Sequence, residues 1–196
     1  MRSQSAARFH VVKKDEKEGR LTEFIRRHLA GHAAGPPALP SEFLLVARSV
    51  RSPVVRAMQA LTTELGGAGV GVRAVLLEPL KAGAPQDGAL GSIRLLSEVR
   101  VLEAHEQLVL GPAAAWIGDC MRREPDLRDA FEAYAEACPL TAGWALRSFQ
   151  ALWRRAVPVG RHVRADTNVP VAVDLSAGSL PAAPETSTPP GTTPRT

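Results

Sequence analysis

The chain has 196 residues, of which 45% are hydrophobic, with 24 Lys and Arg against 20 Asp and Glu. This length predicts one domain with a substantial core, because domains typically contain roughly 100–200 residues. The two cysteines, Cys120 and Cys138, exclude a disulfide framework and a four-cysteine zinc module.

No segment has the pattern of a membrane span or a secretory signal. The apolar run from Gln107 to Gly118 is shorter than the roughly 20 residues that cross a bilayer. The first twenty residues have no apolar signal core. We therefore expect a soluble, cytoplasmic protein with no membrane span. Only four of the basic residues are lysines, and this Arg-rich, Ala-, Gly- and Pro-rich composition indicates a GC-rich bacterial genome.

The two ends of the chain differ in composition from the middle. Residues 1–35 carry eight Lys or Arg against four Asp or Glu. We interpret residues 1–40 as a basic arm with a short helix and a Pro-rich linker, a candidate contact for nucleic acid or another anionic partner. The alternating signs of KKDEKE also fit a solvated surface segment, the interpretation we favour. Residues 161–196, rich in Pro, Thr and Ala, are predicted to be a disordered tail.

The middle of the chain, residues 41–160, is predicted to form an α/β domain. Strands over Glu42–Val50 and Val70–Glu78 flank a helix that begins at Ser52 and Pro53, where the Ser hydroxyl is expected to cap the helix. A strand, a helix and a strand in this order predict a parallel βαβ unit. Further extended segments are predicted at Ser92–Leu102, Glu106–Leu110 and Ala113–Ile117, and helices at Leu21–Leu29, from Pro125 to Ala137 and at Thr141–Ala156. The predicted fold class is α/β, with a mixed, largely parallel sheet flanked by helices.

Four segments resemble, in their order, one half of the phospholipase D superfamily. They are EFLLVARSVRSPVVRAMQAL, GVGVRAVLLE, VRVLEAHEQLVLGPAAAWIGDCM and SFQALW. Together they cover roughly residues 42–157. The resemblance implies the phospholipase D-like fold. It also implies a homodimer, because members with a single motif form half of a two-fold site.

The catalytic signature of that family, His-x-Lys-x4-Asp, is incomplete in this chain. The resemblance places its histidine at His105, its lysine at Gln107 and its aspartate at Gly111 or Pro112. In the family the histidine attacks phosphorus and the lysine holds the phosphate oxygens. Gln107 carries no charge, and Gly or Pro supplies no carboxylate, so the main charge-assisted contacts to phosphate are lost.

The second family motif, Gly-Ser-x-Asn, falls on Gly118 to Met121, where Asp119 replaces Ser and would repel phosphate. The resemblance therefore implies a catalytically degenerate member that acts as a binding or scaffold module.

Two alternatives stay open for the site. One is a phosphodiesterase or nuclease that uses His105 with other partners, such as Glu103, which shares its face of a strand, whereas Glu106 points the other way. The other is a histidine with a purely structural role. Gln107, Arg122 and Arg123 are candidate contacts for a ligand or phosphate, although the two arginines also fit a solvated pair compensated by nearby acids.

No metal or cofactor is expected. His28 and His32 have a chelating spacing, but Gly31 is expected to interrupt the helix and no third ligand is evident. Cys120 has no adjacent His or second Cys and is interpreted as an inert thiol. The Gly-rich segment from Gly66 to Gly71 follows a helix and precedes a strand, the reverse of a phosphate-binding loop.

Overall fold

The computed structural model describes residues 8–33, 40–78, 90–97, 104–124 and 126–159. Its strands are β1 (Arg8–Val12), β2 (Glu42–Ala47), β3 (Gly71–Leu76), β4 (Ser92–Leu95), β5 (His105–Val109), β6 (Ala115–Cys120), β7 (Ala130–Ala135) and β8 (Val157–Pro158). Its helices are α1 (Lys17–Ala33), α2 (Pro53–Ala60), α3 (Thr62–Gly67) and α4 (Pro139–Arg155). The predicted tail, most of the linker, Glu103 and Pro125 lie outside the described residues.

All the described strands belong to one mixed sheet in the order β1-β7-β6-β5-β2-β3-β4-β8. The predicted parallel βαβ unit is confirmed, because β2 pairs with β3 in parallel. The prediction of a largely parallel sheet is wrong: β3–β4 is the other parallel pair among the described strands, and the remaining neighbours are antiparallel. The physical reason is that β5, β6 and β7 follow one another through short reversals, which make neighbours antiparallel.

Helices cover both faces of the sheet, as the α/β class requires. On one face, which we call the α1 face, apolar residues of α1, α2 and α3 pack on the sheet around Phe43, Leu45 and Leu108. On the other face, which we call the α4 face, α4 packs on the sheet through two clusters. In the first, Phe149 and Leu152 contact Val46 and Val75. The second contains Ala142 and Ala145 of α4 with Val109 and Ala115 of the sheet. Among the described helices, none is long and apolar enough to cross a membrane.

The N-terminal segment is part of this fold rather than a separate arm. Strand β1 pairs antiparallel with β7, with Phe9 opposite Ala133 and Val11 opposite Phe131. Leu21, Phe24 and Ile25 of α1 are buried in the core. The predicted boundary at residue 41 therefore does not correspond to a boundary in the packing. The charged run before α1 obscured the short strand RFHVV.

The helix predicted after Pro125 is wrong. Residues Ala130–Ala135 form β7, which pairs with β1 on one side and β6 on the other. Phe131 and Tyr134 have helical spacing and the segment is rich in Ala, which favours helix locally. Pairing on both sides overrides that preference. The final helix is confirmed, with bounds Pro139–Arg155.

The turn between β2 and α2 differs in one detail from its prediction. Pro53 lies at the start of α2, but the Ser52 hydroxyl makes no capping bond to the helix. Its Oγ instead accepts a hydrogen bond from the Ser49 amide at 3.2 Å. At the other end of this connection, Gly69 adopts a φ of 68°, a left-handed conformation that closes α3 before β3 begins.

Candidate functional site

His105 is the first residue of β5 and lies beside the end of β2. Its Nδ1 is 2.9 Å from the Gly118 carbonyl oxygen. A carbonyl only accepts, so Nδ1–H donates and the neutral ring leaves Nε2 as an acceptor. The pairing of β5 with β6 shifts register here, with Cys120 opposite His105 but Ile117 opposite Gln107. This bulge brings the Gly118 carbonyl to the imidazole.

An open groove of about 710 Å³ lies in front of His105 on the α4 face. Its apolar wall comes from β1, β7 and the start of α4, and its polar groups lie at the β5–β6 end. Phe9, Phe131 and Leu140 in this wall are 71%, 69% and 79% exposed. The residues that line it include Phe9, Val11, Phe131, Leu140 and Trp144 along the wall and His105, Asp119 and Arg123 at the polar end.

Gln107, two residues after His105, does not reach this groove. Its side chain is buried beneath α4, where Nε2–H donates to the Ala145 carbonyl at 3.2 Å. Its Oε1 has no hydrogen-bond partner among the described residues. A ligand in the groove does not meet this side chain, so we do not retain Gln107 as a ligand contact.

The two candidate arginines are placed differently. Arg123 lines the groove, and its Nη1 lies 3.7 Å from Asp119 Oδ2. Arg122 is not among the lining residues, and its main-chain carbonyl accepts a 3.5 Å hydrogen bond from Arg48 Nη1. The structure therefore brings His105, Asp119 and Arg123 together and separates Gln107 and Arg122 from them.

Arg48 is a residue of this region that sequence reasoning missed. It follows β2, its Nε donates to Glu78 Oε1 at 2.6 Å, and its Nη2 lies 3.6 Å from Glu124 Oε1. Its amide donates to Glu106 Oε1 at 2.8 Å. Arg48 thus ties the ends of β2, β3 and β6 together. Its position directly after a parallel strand is the signal that could have found it.

Glu106 points away from the groove, as the alternation of a strand predicts. It is buried on the α1 face. Burial is the main cause that raises the pKa of Glu106 to about 7, and hydrogen bonds from Ser52 and Arg48 and the charge of Lys17 oppose the shift. It is therefore not a partner for His105.

The described residues contain no group of three or more potential metal ligands. His28 Nε2–H donates to the Leu110 carbonyl at 2.9 Å, and His32 Nδ1–H donates to the His28 carbonyl at 2.8 Å. Burial, and then the neighbouring His32, lower the pKa of His28 to about 4. Both imidazoles therefore donate hydrogen bonds to main-chain carbonyl oxygens. Cys120 and Cys138 form no disulfide.

No protein-family model matches the chain, and no curated protein is similar enough to count as a relative. Among solved structures, Nuc from Salmonella typhimurium, a phospholipase D family member, superimposes with a TM-score of 0.52 at 14% identity, covering 78% of this chain and 98% of Nuc. The chain has a phospholipase D-like fold. NucT from Helicobacter pylori gives a TM-score of 0.49 at 11% identity (78% of this chain, 98% of NucT). TrmBL2, an archaeal chromatin protein that binds DNA, gives a TM-score of 0.48 at 11% identity, and the match covers 80% of this chain and 56% of TrmBL2.

The residues that the sequence resemblance matched to the family signature have different surroundings in this fold. His105, matched to the histidine, lines the groove. Gln107, matched to the lysine, is buried under α4. Gly111 and Pro112, one of which was matched to the aspartate, lie in the turn between β5 and β6 and are not among the residues that line the groove.

Proposed function

We propose that the chain is a non-catalytic binding module built on a phospholipase D-like fold, with the groove beside His105 as its binding surface. The observation that carries this proposal is the burial of Gln107. The residue in place of the phosphate-holding lysine has no charge and donates to the Ala145 carbonyl rather than facing the groove. Phosphoryl chemistry depends on charged groups aimed at the phosphate oxygens.

The groove also favours binding over hydrolysis. Most of its wall is apolar, and its cation Arg123 is paired with Asp119 at 3.7 Å. A second acid, Asp129, lines the same groove. Two carboxylates against one guanidinium disfavour an anionic phosphate there.

A phosphodiesterase that uses His105 is the second candidate. The specific observation in its favour is that Nε2 of His105 is left as an acceptor in the same groove as Arg123. An imidazole with a nearby guanidinium is a minimal set for nucleophilic attack on phosphorus and stabilisation of the charge that develops.

Hydrolysis of an aryl phosphodiester by the purified chain separates the two candidates. We expect no turnover above buffer by the wild type, by His105→Ala or by His10→Ala, a matched control at an exposed histidine outside this groove. Turnover that survives in His10→Ala and is lost in His105→Ala would overturn the non-catalytic proposal. Equal turnover in all three would identify a contaminating enzyme.

We further propose that the occupant of the groove is a second copy of the chain. Among the described strands, β1 lies at one edge of the sheet, with β7 as its neighbour. Its Phe9 and Val11 project an exposed apolar surface that continues across Phe131 to Leu140 and Trp144. An edge strand beside such a surface is a template for pairing with another chain.

Nucleic-acid binding through the N-terminal segment is a third candidate with less support. Among the eight basic residues of 1–35, Arg20 pairs with Glu16, Arg26 with Glu64 and Arg27 with Glu136, and Lys17 is buried against Glu132. Half of the basic residues that suggested an anionic partner are therefore paired with acids within the fold.

A further inference from the structure

Three charged side chains that the proposed function does not use are buried together on the α1 face. They are Lys17 from α1, Glu106 from β5 and Glu132 from β7, each 1% exposed. Burying a charge costs free energy unless it is paired and hydrogen-bonded. A cluster of this kind therefore needs a specific arrangement of partners.

Glu132 is surrounded by donors. Its Oε2 accepts hydrogen bonds from Trp116 Nε1 at 3.0 Å and from the Tyr134 hydroxyl at 2.7 Å. Its Oε1 lies 3.7 Å from Lys17 Nζ. Burial raises the pKa of Glu132, and the hydrogen bonds from Tyr134 and Trp116 and the charge of Lys17 oppose that shift.

Glu106 has weaker compensation for a negative charge. It accepts the Arg48 amide at 2.8 Å and a hydrogen bond from the Ser52 hydroxyl, so its neutral donors come from the turn between β2 and α2. Lys17 attracts its negative charge and Glu132 repels it. The Arg48 guanidinium instead donates to Glu78, just beyond the end of β3.

One ammonium thus faces two carboxyls, and a single proton would balance the cluster. We propose that Lys17, Glu106 and Glu132 form a proton switch in which buried Glu106 holds one proton, and loss of that proton leaves a second negative charge beneath the β2–α2 turn that favours opening of the turn to water. The turn spans Arg48 to Ser52, so it also carries the guanidinium that joins the strand ends near His105. The switch is independent of what the groove binds.

The direction of the pH effect follows from burial. The pKa of Glu106 is raised to about 7 in the folded chain, from 4.5 when it is exposed. The stability it provides is therefore fully present below pH 4.5 and is lost as the pH rises through about 7. His28, whose pKa is lowered to about 4 from 6.5, changes stability in the opposite direction. Between about pH 6.5 and about 8, Glu106 raises the unfolding equilibrium constant about fourfold, and His28, which is half protonated in the unfolded chain at pH 6.5, lowers it about twofold.

Denaturant unfolding at the two ends of this range tests the switch. For the wild type we expect the unfolding equilibrium constant to rise about twofold between about pH 6.5 and about pH 8, as the net of these two effects. Glu106→Gln, which mimics the protonated form, should instead show a fall of about twofold. Glu64→Gln, a control at an exposed acid paired with Arg26, should show the wild-type rise. A rise in Glu106→Gln equal to that in the wild type would overturn the proposal.

Two measurements on the unaltered protein cover the case in which Glu106→Gln does not fold. Carbon NMR of the side-chain carboxyls should show one glutamate that titrates near the raised pKa of about 7. Amide hydrogen exchange should show protection at Arg48, which donates to Glu106, falling across this range relative to Leu45 in β2. Glutamates that all titrate at ordinary values, or equal protection changes at both amides, would contradict the switch.

Discussion

At the residue scale, two side chains of β5 that project toward the same face have different surroundings. His105 pairs with Cys120 across the bulge and stays at the groove, whereas Gln107 pairs with Ile117 and is covered by α4. Both project toward the α4 face, so alternation alone does not distinguish them. The difference comes from where α4 crosses the strand.

His28 gives a prediction at this scale. Its imidazole is held neutral between α1 and Leu110, and burial lowers its pKa to about 4. The unfolded chain binds a proton there near pH 6.5, so the stability His28 provides is present above that pH and is lost as the pH falls toward 4. Thermal unfolding of His28→Gln should show a weaker loss of melting temperature on acidification than the wild type.

The matched control is His10→Gln, at an exposed position of β1, which should follow the wild-type profile. An acid profile of His28→Gln that coincides with that of the wild type would show that folding does not lower the pKa of His28.

At the element scale, β6 and α3 each contain a glycine whose replacement by alanine has a predictable sign. A Cβ at Gly118 would overlap the ring of Trp116, while a Cβ at Gly66 meets nothing within 4 Å. The Trp116 indole is fixed by its hydrogen bond to Glu132, so it cannot yield without breaking that contact.

We expect Gly118→Ala to lower the free energy of unfolding by about 1–3 kcal/mol through overpacking. Gly66→Ala should raise it by roughly 0.5–1 kcal/mol, because Ala has the better helix propensity. Urea denaturation of both variants measures the two effects. A Gly118→Ala variant as stable as Gly66→Ala would mean that the Trp116 ring does not lie over β6 as described.

Some of the helices and strands could be predicted from local sequence patterns, and others could not. Apolar runs and the Ser52-Pro53 start identified β2, α2 and β3, because buried parallel strands and helix starts have strong local signals. Strand β7 was predicted as a helix because Ala, Phe and Tyr at helical spacing favour that structure locally, and its strand form depends on β1, which is more than 100 residues away along the chain. Pairing at that separation leaves no local trace.

The candidate site was predictable in part. His105 and Arg123 were identified from the family resemblance and the charge pattern, and both line the groove. Phe9, Val11 and Phe131 were missed because they come together through pairing of β1 with β7. The Lys17–Glu132 contact joins α1 to β7 and was missed for the same reason. The disordered tail, cytoplasmic location and bacterial origin stay predictions.

At the scale of the whole molecule, we expect the exposed apolar wall of the groove to be covered by a partner. Leu127, which is 60% exposed, lies outside the groove, whereas Leu140, at 79%, lies in it. Leu140 is in the first turn of α4, where an aspartate is favourable to the helix. Leu140→Asp therefore places a charge on the proposed interface while leaving the fold intact.

Sedimentation equilibrium of the 20.9 kDa chain is the measurement that tests the proposed binding surface most directly. We expect the wild type and Leu127→Asp to be dimers at roughly tens of micromolar, a concentration well above the dissociation constants of typical weak dimers. Leu140→Asp should weaken association by about tenfold or more. A wild type that is monomeric at this concentration, or equal association of the two variants, would contradict pairing through the groove.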